Sequence, residues 1–194
     1  MNISCPRLVV AALRGGGGKT TISLGLTAAW RRQGYMVLPF KKGPDYIDAG
    51  WLAQAAGRPC FNLDTYMMPQ DRILGSLAQR SSRSSCLCLI EGNRGLYDGT
   101  DESGTHSTAE LAKLLHAPVI LVVDCTKVTR TLAAIILGLI HFDPDVSICG
   151  VVLNHVATAR QEALVRSTIE QYTGLPVLGA IPPVSYTHLT LPTN

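Results

Sequence analysis

The chain has 194 residues, 46% of them apolar and only 16% charged, a composition that buries a substantial core and excludes disordered and collagen-like chains. Seventeen basic and fourteen acidic residues leave a net charge of +3, too mild to point to nucleic acid. The longest strongly apolar stretch, TLAAIILGLI at 131–140, falls well short of the roughly 20 residues a bilayer span needs, so a soluble cytoplasmic protein engaging neither membrane nor nucleic acid is expected.

The predicted elements alternate from end to end. A buried strand at 8–13 leads through a glycine run into a helix at 19–33, stopped by Gly34. Residues 1–44 carry seven basic side chains and no acid; Arg31 and Arg32 suit the negative end of that helix, and an anionic ligand would explain the rest. A strand follows at 35–40, a helix at roughly 71–80, a solvated SSRSS loop at 81–85 and a strand at 86–90. Next come a helix at 107–116, a strand at 119–124, a helix at 129–140, a strand at 148–154, a helix at 158–172 stopped by Gly174, and a strand at 177–181. Ser107 and Glu110 have the S-x-x-E spacing of a capping box. Continuous apolar strands separated by helices predict a doubly wound α/β fold whose mostly parallel sheet is covered on both faces.

One domain accounts for residues 1–183. The uncharged stretch 184–194 (VSYTHLTLPTN) follows Pro182-Pro183 where another helix is due, and reads as a frayed or non-native tail. Of six cysteines, those at 86, 88, 125 and 149 lie in or beside apolar strands and none forms a C-x-x-C pair. Buried free thiols in a reducing compartment are expected.

Chemistry gathers first in the turn after the opening strand. Arg14-Gly15-Gly16-Gly17-Gly18-Lys19-Thr20-Thr21 joins a buried strand to a helix, the setting of a P-loop. Glycines turn backbone N–H groups onto a β-phosphate, Lys19 bridges β and γ oxygens, Thr20 offers its hydroxyl to Mg²⁺, and the helix N-terminus adds its dipole. The strict G-x-x-x-x-G-K-S/T pattern fails because Leu13 stands at its first glycine. What remains resembles the deviant loop of dethiobiotin synthetases, partition ATPases and nitrogenase iron proteins. ATP and Mg²⁺ are the expected cofactors, with Gly15, Gly16, Gly17, Gly18, Lys19, Thr20 and Thr21 on the nucleotide.

The second strand runs into PFKKGPDYID at 39–48, at the carboxyl edge of the sheet where ligands of such folds bind. Asp45 and Asp48 beside Lys41 and Lys42 suit a Mg²⁺ site facing an anionic substrate, although a Gly-Pro turn with solvated charges has the same spacing. Glu91 ends one apolar strand (CLCLIE) as a Walker B acid does, and Asp124, ending another (VILVVD), is its rival.

In order, PFKKGPDYID, Gly57-Arg58-Pro59, Asn62-Leu63-Asp64, Glu91-Gly92-x-x-Gly95-Leu96-Tyr97-Asp98-Gly99, Ser107-Thr108-Ala109-Glu110-Leu111-Ala112-Lys113 and Val152-Leu153-Asn154-His155-Val156 together resemble the cobyrinic acid a,c-diamide synthases over residues 8–183. The resemblance implies a dethiobiotin-synthetase-like ATP-binding domain serving cobalamin biosynthesis. Its reaction would phosphorylate the a and c carboxylates of the corrin periphery, and ammonia would displace the phosphate to leave an amide. Lys19, Lys41 and Asp45 are then the catalytic candidates, and Thr20, Asp45 and Glu91 the metal set. Lys42, Tyr46, Asp48, Asn62, Asp64, Arg94 and Asp98 fall on the substrate side. Asn154 resembles an adenine-reading asparagine, with a structural turn as the alternative.

Two features depart from the family pattern. Commoner members read K-V-G-P-D and E-G-V-M-G where this chain has Lys42 and Asn93-Arg94, so cobyrinic acid, hydrogenobyrinic acid and nickel sirohydrochlorin all stay open as substrates. Members also carry a C-terminal glutamine amidotransferase domain with a cysteine nucleophile. No cysteine here sits in a comparable small-residue turn, so the chain is expected not to hydrolyse glutamine and to take ammonia from that missing domain. A homodimer is left open. Two competitors share the loop. A partition or septum-positioning switch ATPase is supported by Arg14 at the signature-lysine position but needs a basic face or a membrane helix. A dethiobiotin synthetase leaves GPDYID and EGxxGLYDG unexplained.

Overall fold

The computed structural model describes residues 5–81 and 86–183; residues 82–85 of the expected SSRSS loop, and the 184–194 tail, lie outside the described residues. In chain order the elements are β1 (Arg7–Ala12), α1 (Lys19–Arg32), β2 (Met36–Lys42), α2 (Ile47–Ala56), β3 (Phe61–Leu63), α3 (Gln70–Arg80), β4 (Cys86–Glu91), α4 (Thr108–Leu114), β5 (Val119–Asp124), α5 (Thr131–Phe142), β6 (Ile148–Asn154), α6 (Ala159–Thr173) and β7 (Val177–Ala180). The strands form one parallel sheet in the order β3-β2-β4-β1-β5-β6-β7, the doubly wound α/β arrangement that the alternation predicts. No helix among the described residues is long and apolar enough to cross a membrane.

Both faces of the central strands are buried because successive side chains point to opposite sides. Along β1, Val9 and Ala11 join the larger core, where Ile73 and Leu77 of α3, Leu111 of α4, Leu132 and Ile136 of α5 and Val165 and Ile169 of α6 pack. Val10 and Ala12 face the smaller core, closed by Ile22 of α1 and Leu52 of α2. Burying each such aliphatic side chain stabilises the fold by about 1.5–3 kcal/mol. The chain leaves β1 toward β2 and β3, returns as β4 beside β1, then crosses to β5. Connections therefore diverge between β1 and β4, and ligands of open α/β sheets bind at the carboxyl ends of strands beside such a point.

Helix starts follow local chemistry. Ser107 Oγ accepts from Glu110 N at 3.2 Å, as its spacing predicts, and the Glu110 carboxylate reaches back to His106 N and not to the cap residue itself. Thr158 and Gln161 make a second box: Thr158 Oγ1 accepts from Gln161 N at 3.1 Å, and Gln161 Oε1 accepts from Ala157 N at 2.9 Å.

Two elements escape the sequence reading. Helix α2 buries Ala49, Leu52 and Ala56 but exposes Ile47 and Trp51, so it shows no clean apolar stripe, and β3 has only three residues. Strand β2 also runs two residues further than expected, to Lys42. Cys86, Cys88 and Cys125 are buried free thiols, as expected, but Cys149, at a register irregularity between β5 and β6, is exposed.

The loop after β4 is closed by backbone contact. A Cβ added at Gly99 would lie 2.4 Å from both the Gly104 carbonyl carbon and the Thr105 oxygen, and neither backbone atom can swing aside as a side chain would. Gly99→Ala is expected to lower the stability of the fold by about 1–3 kcal/mol, read as a shift of the urea midpoint, whereas Gly15→Ala, with nothing within 4 Å of the new Cβ, leaves the midpoint unchanged.

Candidate active site

The site lies along the carboxyl ends of β1, β2, β4, β5 and β6. Gly18, left-handed at φ 96°, opens α1, and a Cβ there would fall 2.1 Å from Asn154 Nδ2. That amide donates to the Gly17 carbonyl at 3.2 Å. Asn154 is buried and braces the glycine loop through that bond. Gly15, Gly16 and Thr21 are exposed along the loop.

Lys19 is buried, and its ammonium donates to the Arg94 carbonyl at 2.7 Å and the Arg14 carbonyl at 3.3 Å. Burial, then the neighbouring Lys41 charge, lowers its pKa. An anion beside it would reverse that penalty, since an opposite charge favours the ionised form. The Arg94 carbonyl is presented by a left-handed residue, φ 49°.

Beside the loop, the β2–β4 register sets Lys41 opposite Glu91. Lys41 Nζ lies 2.9 Å from Glu91 Oε1, 3.0 Å from Asp48 Oδ2 and 3.8 Å from Asp45 Oδ2. Thr20 Oγ1 donates to the same Glu91 oxygen at 2.6 Å and lies 3.3 Å from Asp48 Oδ2. Burial opposes the Lys41 charge, but Glu91 and Asp48 outweigh it and raise the lysine pKa. For Asp48, burial is likewise outweighed, by Lys41, Asp45 and Thr20, and its pKa falls. Glu91 is fully buried, and its Oε2 has no hydrogen-bond partner among the described residues. One ammonium therefore faces three carboxylates, one of which holds a bare buried oxygen beside a threonine hydroxyl. Such an all-oxygen set with excess negative charge suits a hard divalent cation.

The two aspartates of GPDYID divide their work. Asp45 Oδ1 accepts from the backbone N–H groups of Ile47 and Asp48 at 2.9 and 3.1 Å, which starts α2 and aims Asp48 at Thr20. Asp48, expected on the substrate side, thus stands nearer Thr20 and Glu91 than Asp45 does. Asp124 sits apart. It accepts from Thr126 N and Oγ1 at 2.9 and 2.6 Å, and it meets His155 Nδ1 at 3.2 Å and Arg14 at 3.3 Å. Burial works against its charge, but the Thr126 and His155 contacts hold its carboxyl at about 2.

On the other side of Lys41 opens a cavity of about 170 Å³ lined by Lys42, Asp64, Asn93, Arg94, Asp98 and His106, among others. Burial lowers the Lys42 pKa, so an incoming carboxylate would meet a poorly solvated cation. Other expected substrate-side residues hold loops. Asn62 Nδ2 donates to the Gly43 and Asp45 carbonyls at 2.6 and 2.9 Å, Asp64 Oδ1 accepts from Tyr66 N at 2.7 Å, and Asp98 Oδ2 accepts from Gly95 N at 2.7 Å. Tyr46 is 81% exposed. Sequence reasoning missed His106, which reaches the cavity from before α4 and meets Thr65 Oγ1 at 3.0 Å; no local pattern marks it.

Comparison with known proteins finds relatives over most of the chain. The cobyrinate a,c-diamide synthase of Magnetococcus marinus is 49% identical over 177 residues, covering 91% of this chain and 38% of the relative. The hydrogenobyrinate a,c-diamide synthase of Streptomyces coelicolor is 47% identical over 177 residues, covering 91% and 36%. The chain thus spans well under half the length of these curated relatives. Chloroplast FtsY from Physcomitrella patens superposes with a TM-score of 0.62 at 18% identity, over 91% of this chain and 58% of that one, a likeness of fold alone. Residues 8–187 match the CobQ/CobB/MinD/ParA nucleotide binding domain family, and this chain, sharing its loop, its sheet and the motifs of the a,c-diamide synthases, belongs to that family.

Proposed function

We propose that the chain is the ATP-using part of an a,c-diamide synthase, activating the a and c carboxylates of cobyrinic acid or a related tetrapyrrole for amidation. The observation that carries this reading is the cluster in which Lys19, Lys41, Thr20, Asp48 and Glu91 lie between the glycine loop and the Lys42 cavity. The names of the relatives support the substrate class. In this reading a substrate carboxylate oxygen attacks the γ-phosphorus, the β–γ bridging oxygen leaves with ADP, and an acyl phosphate results. Ammonia then attacks the acyl carbon, and phosphate departs with the C–O electron pair, leaving the amide.

The chain's own residues position and neutralise. Lys19 holds the β- and γ-phosphate oxygens against the N-terminus of α1, and the backbone of Gly15 to Gly18 wraps them. Lys41 bridges from the carboxylate cluster to the transferring group, while Lys42 and Arg94 bind the other carboxylates of the polyanionic substrate. Thr20, Glu91 and Asp48, with Asp45 next to them, fit a Mg²⁺ ion, which when bound supplies positive charge against the phosphates. We take residues 1–183 as one domain, 184–194 as a tail outside it, and the cytoplasm as the compartment, where ATP is supplied and the six free thiols stay reduced. ATP turnover stimulated by DNA or vesicles and indifferent to corrinoid would replace this reading by a switch ATPase.

Lys19→Ala is expected to cut corrinoid-dependent ATP turnover on the order of 100-fold or more with an unchanged circular-dichroism spectrum; full turnover in the folded variant would remove Lys19 from the phosphate site. Glu91→Gln and Asp48→Asn are expected to raise the Mg²⁺ concentration for half-maximal turnover at least tenfold. Asp45→Asn, acting through the start of α2, raises it less; equal Mg²⁺ curves for all four proteins would move the metal elsewhere, with Asp124 the next candidate. With ATP, Mg²⁺ and cobyrinic acid, the purified chain should form amide from ammonium salts and not from glutamine, faster as pH rises and free ammonia increases. Mass spectrometry of the corrinoid product reads the outcome, and amide made from glutamine would mean a glutaminase within these residues.

A further inference from the structure

At the opposite end of the sheet from the glycine loop, three cysteines converge. The β1–β4 register pairs Arg7 with Cys88; two residues earlier on each parallel strand, Cys5 comes beside Cys86. Residues two apart on a strand share a face, so Cys86 and Cys88 point the same way, toward Cys5. Cys5 Sγ lies 2.7 Å from Cys86 Sγ and 3.4 Å from Cys88 Sγ, and all three sulfurs fall within 4.8 Å of one another. Their residues are 5%, 3% and 1% exposed. Five strand residues, roughly 16 Å, separate Cys86 from Glu91, so this cluster is no part of the site above.

We propose that Cys5, Cys86 and Cys88 form a binding site for one soft d10 metal ion, held through three sulfurs, for which Cu(I) is the fitting probe. The donor set is wholly soft: among the described residues the cluster includes no histidine or carboxylate, and thiolate sulfur selects Cu(I) or Zn²⁺ over hard cations. Zn²⁺ in structural sites takes four ligands, and among the described residues the cluster offers three side-chain donors, which favours the lower coordination number of Cu(I). The Arg7 guanidinium, donating to the Cys5 carbonyl at 3.3 Å, adds positive charge beside a centre that three thiolates would leave negative. An odd number of sulfurs also fits an ion better than a disulfide, which would join two and strand the third. Burial raises the Cys86 thiol to about 11, so without an ion the group is a neutral core side chain. Binding replaces S–H bonds by S–metal bonds, the protons passing to solvent, with no change of oxidation state.

The test is anaerobic titration of the full chain with Cu(I) against a chromophoric Cu(I) chelator, with Zn²⁺ as a second arm. One equivalent should be taken from the chelator. Cys5→Ser and Cys88→Ser should each weaken binding at least tenfold, while Cys60→Ser and Cys149→Ser leave it unchanged. Copper X-ray absorption on the wild-type protein, which needs no variant to fold, should report three sulfur neighbours. No transfer from the chelator, undiminished binding in both cluster variants, preferential uptake of Zn²⁺, nitrogen or oxygen neighbours, or a disulfide within the cluster in the protein purified anaerobically would each overturn the assignment.

Discussion

The carboxylate cluster at the carboxyl end of the sheet depends on one buried ion pair, Lys41 opposite Glu91 at the ends of β2 and β4. The two charges leave water together, which costs more than their attraction returns unless further polar groups complete the shell. Asp48 and the Gly92 carbonyl do so for the ammonium, and Thr20 for one carboxylate oxygen. The second oxygen is left bare. Losing either partner of such a pair costs about 3–5 kcal/mol, a penalty more easily accepted for chemistry than for stability. Flanking strands that are apolar on both faces bring this cost into the core, and in the same act they hold the charges rigid.

The nucleotide loop is fastened from three directions. Asn154, at the end of β6, holds it from below through Gly17; Arg94, after β4, takes the ammonium of Lys19; and Arg14 reaches Asp124 at the end of β5. Register carries this arrangement: Asp124 stands opposite Asn154, and Lys41 opposite both Glu91 and Asn62. Residues scattered over more than a hundred positions become neighbours because parallel strands all end at the same edge. The glycine loop of this chain is accordingly less a free loop than the middle of a bracket.

Most of this was legible. Alternating apolar strands and capped helices wrote the doubly wound sheet directly, and the strand–glycine–lysine–helix order marked the phosphate-binding turn. The roles of Asp45 and Asp48 were not legible, and the reason is physical. Their spacing of three does not say that Asp45 Oδ1 accepts from the first backbone N–H groups of a helix that carries Asp48 in its first turn, which only the presence of α2 reveals. That helix hides because Gly50, a poor helix former, sits inside it while Ile47 and Trp51 face outward. Asn62, Asp64 and Asp98 carry the same lesson: short polar residues in a shared motif hold the turns that shape a pocket as readily as they touch what fills it.

The bond from Lys19 to the Arg94 carbonyl joins the glycine loop to the loop after β4. A phosphate that draws the ammonium toward itself competes with that carbonyl for the same protons, and Arg94, already left-handed, is the residue whose side chain borders the neighbouring cavity. The glycine loop and the cavity beside it are thus not independent: one hydrogen bond between a lysine ammonium and a backbone carbonyl ties the shape of one to the shape of the other.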